Sequence, residues 1–497
     1  MYLSKTDYVT YLKHPAWLWL KKHSPDALPK IDENSQAVID GGIQFEHYAE
    51  KIFEGAIKVE SKEFGDFETR AIETKRLIDE RSEVILQAVF INGDYLCIAD
   101  ALRLTPDGYE LIEIKAVTTP DKEHFCDLAF QKAVIENSGT PITKCFVLHA
   151  NKDYIRQGDI KLDEITLFTD VTSQVEKQLL DTTEKMKAAL AVLALETIPS
   201  DSLRYVGLGA AKEWRQIFKS LHPDIPPYSI YDLASNKGAG TDKLLATLED
   251  DNVMLIVDIP DSTKLQAHQK DQIAVTKLGQ PIVDKDRVKS FLDDLVFPLY
   301  FLDYESINLI MPPFDNTWPY EQVVFQHSVH IMQADGTITH EEYLHDTNTN
   351  PMPKLIESLE SIIGSAGSII VWHQTFEKGR HTDMAKLYPA KASFMEDLNN
   401  RVVDLEDPFN KRMYQDMQFK GSSSIKKVLP VLCPELTYKT LGIQEGLTAS
   451  RSWKEAIVDG TRGDKDEILT NLKEYCGLDT YAMVEIYQKL KQIVNDA

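Results

Sequence analysis

The sequence predicts an α/β protein of two or three domains, and three features of the chain carry that expectation. Short apolar runs at 94–100, 109–115, 298–306 and 368–372 read as strands, the first three carrying acids at or near their carboxyl ends. Amphipathic stretches at helical spacing separate them, the longest at 170–200 and 467–494. A length of 497 residues exceeds what a single core usually serves, so the chain divides.

Taken from the N-terminus, Ser4 offers a cap to a helix through Tyr8, Tyr11 and Leu12, with Pro15, Trp17 and Trp19 behind it. Residues 41–56 read as a second helix with the apolar stripe Phe45, Tyr48, Ala49, Ile52, Phe53 and Ala56. His47 lies beside that stripe, where a histidine more often flanks a helix than binds a ligand. A hairpin follows, with strand 94–100, the turn Pro106-Asp107-Gly108 and a return strand 109–115. Asp100 closes the first strand. Glu113 and Lys115 alternate on the second and face together, with Ile112 and Ile114 opposite. Two carboxylates and a lysine so spaced can hold one or two Mg2+ ions and orient a water at a phosphodiester. The lysine would steady the charge or the water. A plain surface hairpin with a Glu/Lys pair has the same pattern and is worth little.

Residues 170–200 read as a long helix striped by Val175, Leu179, Leu180, Met186, Leu190 and Leu193, closing a first domain at 1–200. Residues 201–290 are rich in turns and short helices and read as a helical connecting module. The glycine-centred turn at 236–240 before a helix at 241–248 allows a helix-hairpin-helix, which meets phosphates through main-chain N–H groups. A plain connector suits the lack of a lysine-rich hairpin better.

The third domain, 291–497, begins with the run 298–306, which sets Asp303 and Glu305 at alternate positions on one face. Two acids side by side repel unless a cation or a proton lies between them, which is the setting a divalent metal suits. A strand running out into a solvated acidic loop is the plain alternative. Residues 322–332 and 337–344 alternate like an antiparallel pair about Asp335-Gly336, and a helix at 352–363 leads to the strand at 368–372. His373-Gln374-Thr375-Phe376-Glu377 then opens another helix, and Val402-Val403-Asp404 is a short strand whose acid orders a site rather than binding metal. The turn Gly421-Ser422-Ser423-Ser424 precedes a helix carrying Lys426 and Lys427. Ser423, Lys426 and Lys427 are therefore candidates for gripping a phosphate or a 3′ end, with a simple helix cap as the alternative. On the last helix Asp479 falls on the stripe of Leu469, Leu472, Tyr475, Met483 and Ile486, where a carboxylate is costly without a partner.

A net charge of −24 argues against tight, non-specific duplex binding, so any basic groove must be local. Five cysteines without a CxxC suggest neither a disulfide framework nor a zinc site. No leader pattern and no bilayer-length apolar run is present, which leads to the expectation of a cytoplasmic protein with no membrane partner.

Two sets of these residues resemble nuclease families. Ile98-Ala99-Asp100 and Glu113-Ile114-Lys115 resemble the aspartate and E-x-K motifs of the PD-(D/E)XK nucleases, in their RecB-type branch. That resemblance implies a restriction-endonuclease-like fold with metal at Asp100 and Glu113 and with Lys115 catalytic. It also implies a metal-binding His47 after Gly42 and a substrate-side Gln131. The branch's tyrosine four residues after that glutamine is replaced here by Ile135. Many RecB-type members hold an iron–sulfur cluster through four cysteines. With His14-Pro15 where the first would fall, no iron–sulfur cluster is expected here.

Asp303, Glu305, Glu377 and Asp479, the last four residues after Tyr475, resemble the tyrosine-bearing branch of the DEDD exonucleases. These are RNase H-like folds that cleave from the 3′ end with two metal ions. The resemblance implies that Asp303, Glu305, Glu377 and Asp479 hold metal and that Tyr475 positions or deprotonates the attacking water. Glu377 stands where that superfamily has aspartate, which puts the efficiency of cleavage in question. The whole arrangement is similar to a bacterial family joining the two halves. The expected activity is Mg2+- or Mn2+-dependent hydrolysis of phosphodiester bonds at two sites, in DNA processing or defence against foreign nucleic acid. Nucleic acid is the expected partner, DNA ahead of RNA, with a protein partner or homo-oligomer left open. The alternatives are a 3′–5′ RNA exonuclease using the C-terminal site alone, and a nuclease-derived binding or scaffold subunit.

Overall fold

The computed structural model describes residues 2–60, 65–234 and 240–496. The protein is mixed α/β and divides into two compact units. The first takes the chain up to Ile225 with 240–252 and Trp318–Tyr320, and the second takes 226–234, Val253–Thr317 and the chain from Glu321 onward. Residues 201–290, expected as a separate module, are thus shared between the units. The turn at 236–239 lies outside the described residues, and a helix begins at Gly240.

In the first unit β1 (Leu3–Ser4) leads into α1 (Lys5–Lys13), α2 (Pro15–His23) and α3 (Glu33–Ala49). After these come β2 (Ile57–Lys58), α4 (Phe67–Asp79), β3 (Val84–Asn92), β4 (Tyr95–Thr105) and β5 (Gly108–Lys115). The unit continues with α5 (Lys122–Asn137), β6 (Ile142–Ala150), α6 (Leu162–Ile165), β7 (Thr166–Asp170), α7 (Thr172–Leu193), α8 (Ala211–Leu221) and α9 (Gly240–Asp250). The sheet is ordered β2-β3-β4-β5-β6-β7, with β1 parallel to the first residues of β4. Ser4 and Asp7 cap each other reciprocally at the start of α1. Asp32 caps α3, so this helix starts eight residues before the stretch that announces it, on turns whose side chains, Val38 and Ile39 included, are not buried. Between β5 and β6, α5 is buried almost all round from Cys126 to Ile135, which is why it shows no polar face. Leu180 of α7, expected on the buried stripe, is 89% exposed.

The second unit contains α10 (Ala267–Leu278), β8 (Ile282–Val283), α11 (Lys285–Asp293), β9 (Leu299–Asn308), β10 (Gln322–Met332) and β11 (Ile338–Leu344). Next are α12 (Met352–Ile362), β12 (Ser368–Val371), α13 (Thr375–Leu387), α14 (Ala392–Arg401), β13 (Val402–Asp404) and α15 (Asp407–Asn410). It ends with β14 (Tyr414–Gln415), α16 (Ile425–Leu432), α17 (Gly446–Trp453) and α18 (Lys465–Asn495). Its main sheet is ordered β11-β10-β9-β12-β13, antiparallel across β11, β10 and β9 and parallel across β9, β12 and β13. Strand β9 divides its side chains between two cores. Leu302 and Tyr304 join Leu355 and Leu359 of α12, whereas Leu299 and Phe301 join Tyr487 and Leu490 of α18. By the period of two, Asp303 and Glu305 continue the face that α18 covers. No helix among the described residues is long and apolar enough to cross a membrane.

Candidate active sites

In the first unit the acids gather where two strands part. β4 and β5 pair from Thr105 and Gly108 up to Ala101 and Ile112. There the ladder ends, and the Ile114 N–H donates instead to Asp100 Oδ2 at 2.8 Å. Glu113 is completely buried in the gap. Its carboxylate takes Lys115 Nζ at 2.6 Å, Lys5 Nζ at 2.6 Å and Gln131 Nε2 at 2.7 Å. Asp127, one helical turn before Gln131 on α5, accepts from Gln131 at 2.9 Å and lies 3.3 Å from Lys115. Lys5 also stands 3.7 Å from Asp100.

Burial and the charge of Glu113 push Asp100 and Asp127 above the usual carboxylate range. Burial would raise Glu113 too, but Lys115 and Lys5 outweigh it and hold Glu113 well below that range. Three carboxylates are therefore met by two ammonium groups already in place.

The structure brings together Asp100, Glu113, Lys115 and Gln131. It does not bring His47 to them. The His47 side chain is 64% exposed, and its ionic neighbour is Glu50 at 3.8 Å. On α3 it is Glu46 whose charge reaches Asp100. The physical reason is rotation about the helix. Gly42 approaches Ala116 at the end of β5, and Glu46, a turn later, stays on that side while His47 turns out. Lys5 and Asp127 were not legible as site residues. Asp127 had a signal in its spacing from Gln131. Lys5 had none, because the pairing of β1 with β4 carries it there.

In the second unit β12 pairs with β9 only from Leu299 to Phe301. Asp303 and Glu305 lie past that pairing, at the carboxyl ends of parallel strands where open sheets leave room for ligands. From α18, Tyr475, Cys476 and Asp479 face them. Donor atoms of Asp303, Glu305 and Cys476 lie within 4.8 Å of one another, and Cys476 Sγ is 3.7 Å from Asp303 Oδ2. Asp479 Oδ1 accepts from the Tyr438 hydroxyl at 2.6 Å. Glu377, at the first turn of α13, is 2% exposed, and its Oε2 accepts no hydrogen bond from a described residue. Burial and the nearby charge of Asp303 push Glu377 up, and burial with Asp479 does the same to Asp303. Glu305 is raised by burial, Asp303 and Asp479, and burial lifts Asp479 to about 6. The cation felt by Glu305 and Asp479 is Lys426, and Arg380, felt by Glu377, is already paired with Asp383 at 2.7 Å.

Lys426 reaches this cluster across aromatic rings, 5.6 Å from the centroid of Tyr438 and 5.7 Å from that of Tyr475. Its Nζ donates to the Gln444 carbonyl at 2.9 Å. Lys427 is exposed on α16. Ser423 donates to Glu406 Oε1 at 2.5 Å, so its hydroxyl is engaged within the protein. The α16 cap is Ser424, without a side-chain cap bond. Asp404 accepts from the backbone N–H groups of His373, Gln374 and Glu406 and so shapes the entry to α13. Tyr438 and Cys476 were not singled out from sequence. Cys476 follows Tyr475 directly, and its place three residues before Asp479 was the available signal.

A family model described as "Domain of unknown function (DUF2779)" matches residues 300–424. That span includes Asp303, Glu305, Glu377 and Ser423 and stops before Lys426, Tyr475 and Asp479. The chain is similar to an "Uncharacterized protein" of Ureaplasma parvum serovar 3, 29% identical over 224 residues, covering 40% of this chain and 32% of the relative. It is also similar to an "Uncharacterized protein" of Mycoplasma genitalium, 26% identical over 216 residues, covering 39% of this chain and 32% of the relative. The chain thus spans about a third of the length of these curated relatives.

Proposed function

We propose that the chain is a metal-dependent phosphodiesterase of nucleic acid, with DNA as the substrate and the C-terminal cluster as its principal site. The observation that carries this reading is a charge imbalance. Asp303, Glu305, Glu377 and Asp479 are buried within reach of one another's charge, and each is pushed above its ordinary value by burial or by the others. Unmatched buried carboxylates are costly and clustered ones costlier, so a divalent cation is the partner that fits the donor set. The strand order, with an antiparallel meander followed by two parallel strands, supports an RNase H-like reading of this unit. Cofactor chemistry would be that of a divalent ion, which activates water and neutralises charge on a phosphate.

The chain's own groups have separable roles. Tyr438 donates to Asp479, which fixes the orientation of the carboxylate and partly opposes the upward push of burial. Burial and Asp479 push the Tyr475 hydroxyl well above its ordinary value, so it donates a hydrogen bond rather than taking a proton. Lys426 supplies positive charge at the edge of the cluster for a phosphate or a 3′ end.

In the N-terminal unit, Asp100, Glu113 and Lys115 support a second site of the RecB type. One observation favours the reading in which only the C-terminal site cleaves. Lys5 already occupies the Glu113 carboxylate at 2.6 Å, as a metal would. Digestion of end-labelled and circular single- and double-stranded DNA and RNA with Mg2+ or Mn2+ separates these cases. Wild type, Lys115→Ala and Asp303→Ala are compared. Distinct product patterns lost in each variant support two sites, and loss with Asp303→Ala alone supports one. Absence of metal-dependent cleavage of every substrate refutes the proposal in favour of a binding or scaffold role.

A further inference from the structure

We infer that Cys476 is a metal ligand, and that Asp303, Glu305 and Cys476 form a mixed carboxylate–thiolate position for a thiophilic divalent ion of the zinc and cobalt class. The inference rests on the metal-dependent reading above and deepens it, since that reading needs only oxygen ligands.

Three donors of two types converge from two elements. Asp303 and Glu305 come from one face of β9 and Cys476 from α18, with their donor atoms within 4.8 Å of one another. Two donors about 2.0 and 2.3 Å from a tetrahedral zinc ion stand roughly 3.5 Å apart. The Cys476 Sγ to Asp303 Oδ2 separation is 3.7 Å. Glu305 is 7% exposed, and burial together with the charges of Asp303 and Asp479 pushes it above its ordinary value. Glu377 Oε2, buried and within reach of the Asp303 charge, accepts no hydrogen bond from a described residue. Asp303 takes the Tyr304 N–H and, from Cys476, only a weak S–H contact at 3.7 Å.

The donor set also selects the ion. Mg2+ takes oxygen ligands and gives up its waters reluctantly, whereas a soft thiolate selects zinc-class metals. On coordination the bond to the metal replaces the S–H bond, and the thiol proton passes to solvent.

The test uses the full chain loaded with one equivalent of Co2+ or Zn2+, with no nucleic acid present. Co2+ should give a thiolate-to-metal charge-transfer absorption that survives Cys433→Ser and an excess of Mg2+. Cys476→Ser should lose the band and bind Co2+ at least about tenfold more weakly. X-ray absorption at the zinc edge of the unaltered chain needs no variant to fold. It should show one sulfur about 2.3 Å from the ion. Binding of Co2+ and Zn2+ with an all-oxygen or nitrogen shell overturns the inference and leaves the metal-dependent reading standing. Failure of the chain to bind any of Mg2+, Mn2+, Co2+ or Zn2+ overturns both.

Discussion

Replacing Asp303 by asparagine should stabilise the ion-free protein while removing most of its stabilisation by metal. The donor oxygens of Asp303 and Glu305 lie within 4.8 Å of each other. At an effective dielectric of about 20, two full charges at that separation repel by roughly 3 kcal/mol. Protonation of one acid caps that cost, so Asp303→Asn is expected to raise ion-free stability by about 1–2 kcal/mol. For a unit of this size each kcal/mol moves the midpoint by about 2–4 °C. At Mn2+ a hundred times above its dissociation constant, the wild type should gain about 2.7 kcal/mol. The variant should gain little, so the two stability curves cross as metal is added. Thermal unfolding in chelator and across an Mn2+ titration reads both effects. If Asp303→Asn is less stable than wild type in chelator, the carboxylate is satisfied by the Tyr304 N–H and the Cys476 thiol. The acids would then be satisfied without a cation, which refutes the charge imbalance.

Three further outcomes are expected. In an Asp303→Asn background, Lys5→Ala should remove one of the two ammonium groups on Glu113 and strengthen Mn2+ binding at the first unit by about tenfold or more, measured by calorimetry; weaker binding would instead make Lys5 part of the site. Burial pushes His381 down to about 4 and His327 to about 3. Their folded values lie below the unfolded value of about 6.5, so the stability they contribute is whole above that pH and is lost as pH falls towards 4. For His381 this amounts to about 3 kcal/mol, and His381→Gln should flatten the acid limb of a stability profile relative to wild type; an unchanged slope would show that His381 is not buried neutral. Asp479 is lifted to about 6, so apparent Mn2+ affinity should climb with pH through that value as protons cease to compete, and a pH-independent affinity between 5 and 8 would contradict the buried placement of the acids.

The sequence by itself determined which residues share a face. Alternation placed Asp303 with Glu305 and Glu113 with Lys115, and the stripe on the last helix placed Asp479 with Tyr475, because strand and helix periods are properties of the local backbone. The α/β class and the main strands and helices were legible for the same reason. The boundaries were not. α3 starts at Glu33 behind its cap Asp32, on a stretch that buries no side chain, and 201–290 is divided by contacts made elsewhere in the chain. Tertiary structure alone decided what meets the acids. Lys5 reaches Glu113 because two residues of β1 pair with β4, and Tyr438 reaches Asp479 from a short 3-10 turn 41 positions away. Rotation of α3 decided that Glu46 rather than His47 acts on Asp100. Local patterns specify which side a residue points to, while the partner on that side is set by long-range packing, which no short window of sequence contains.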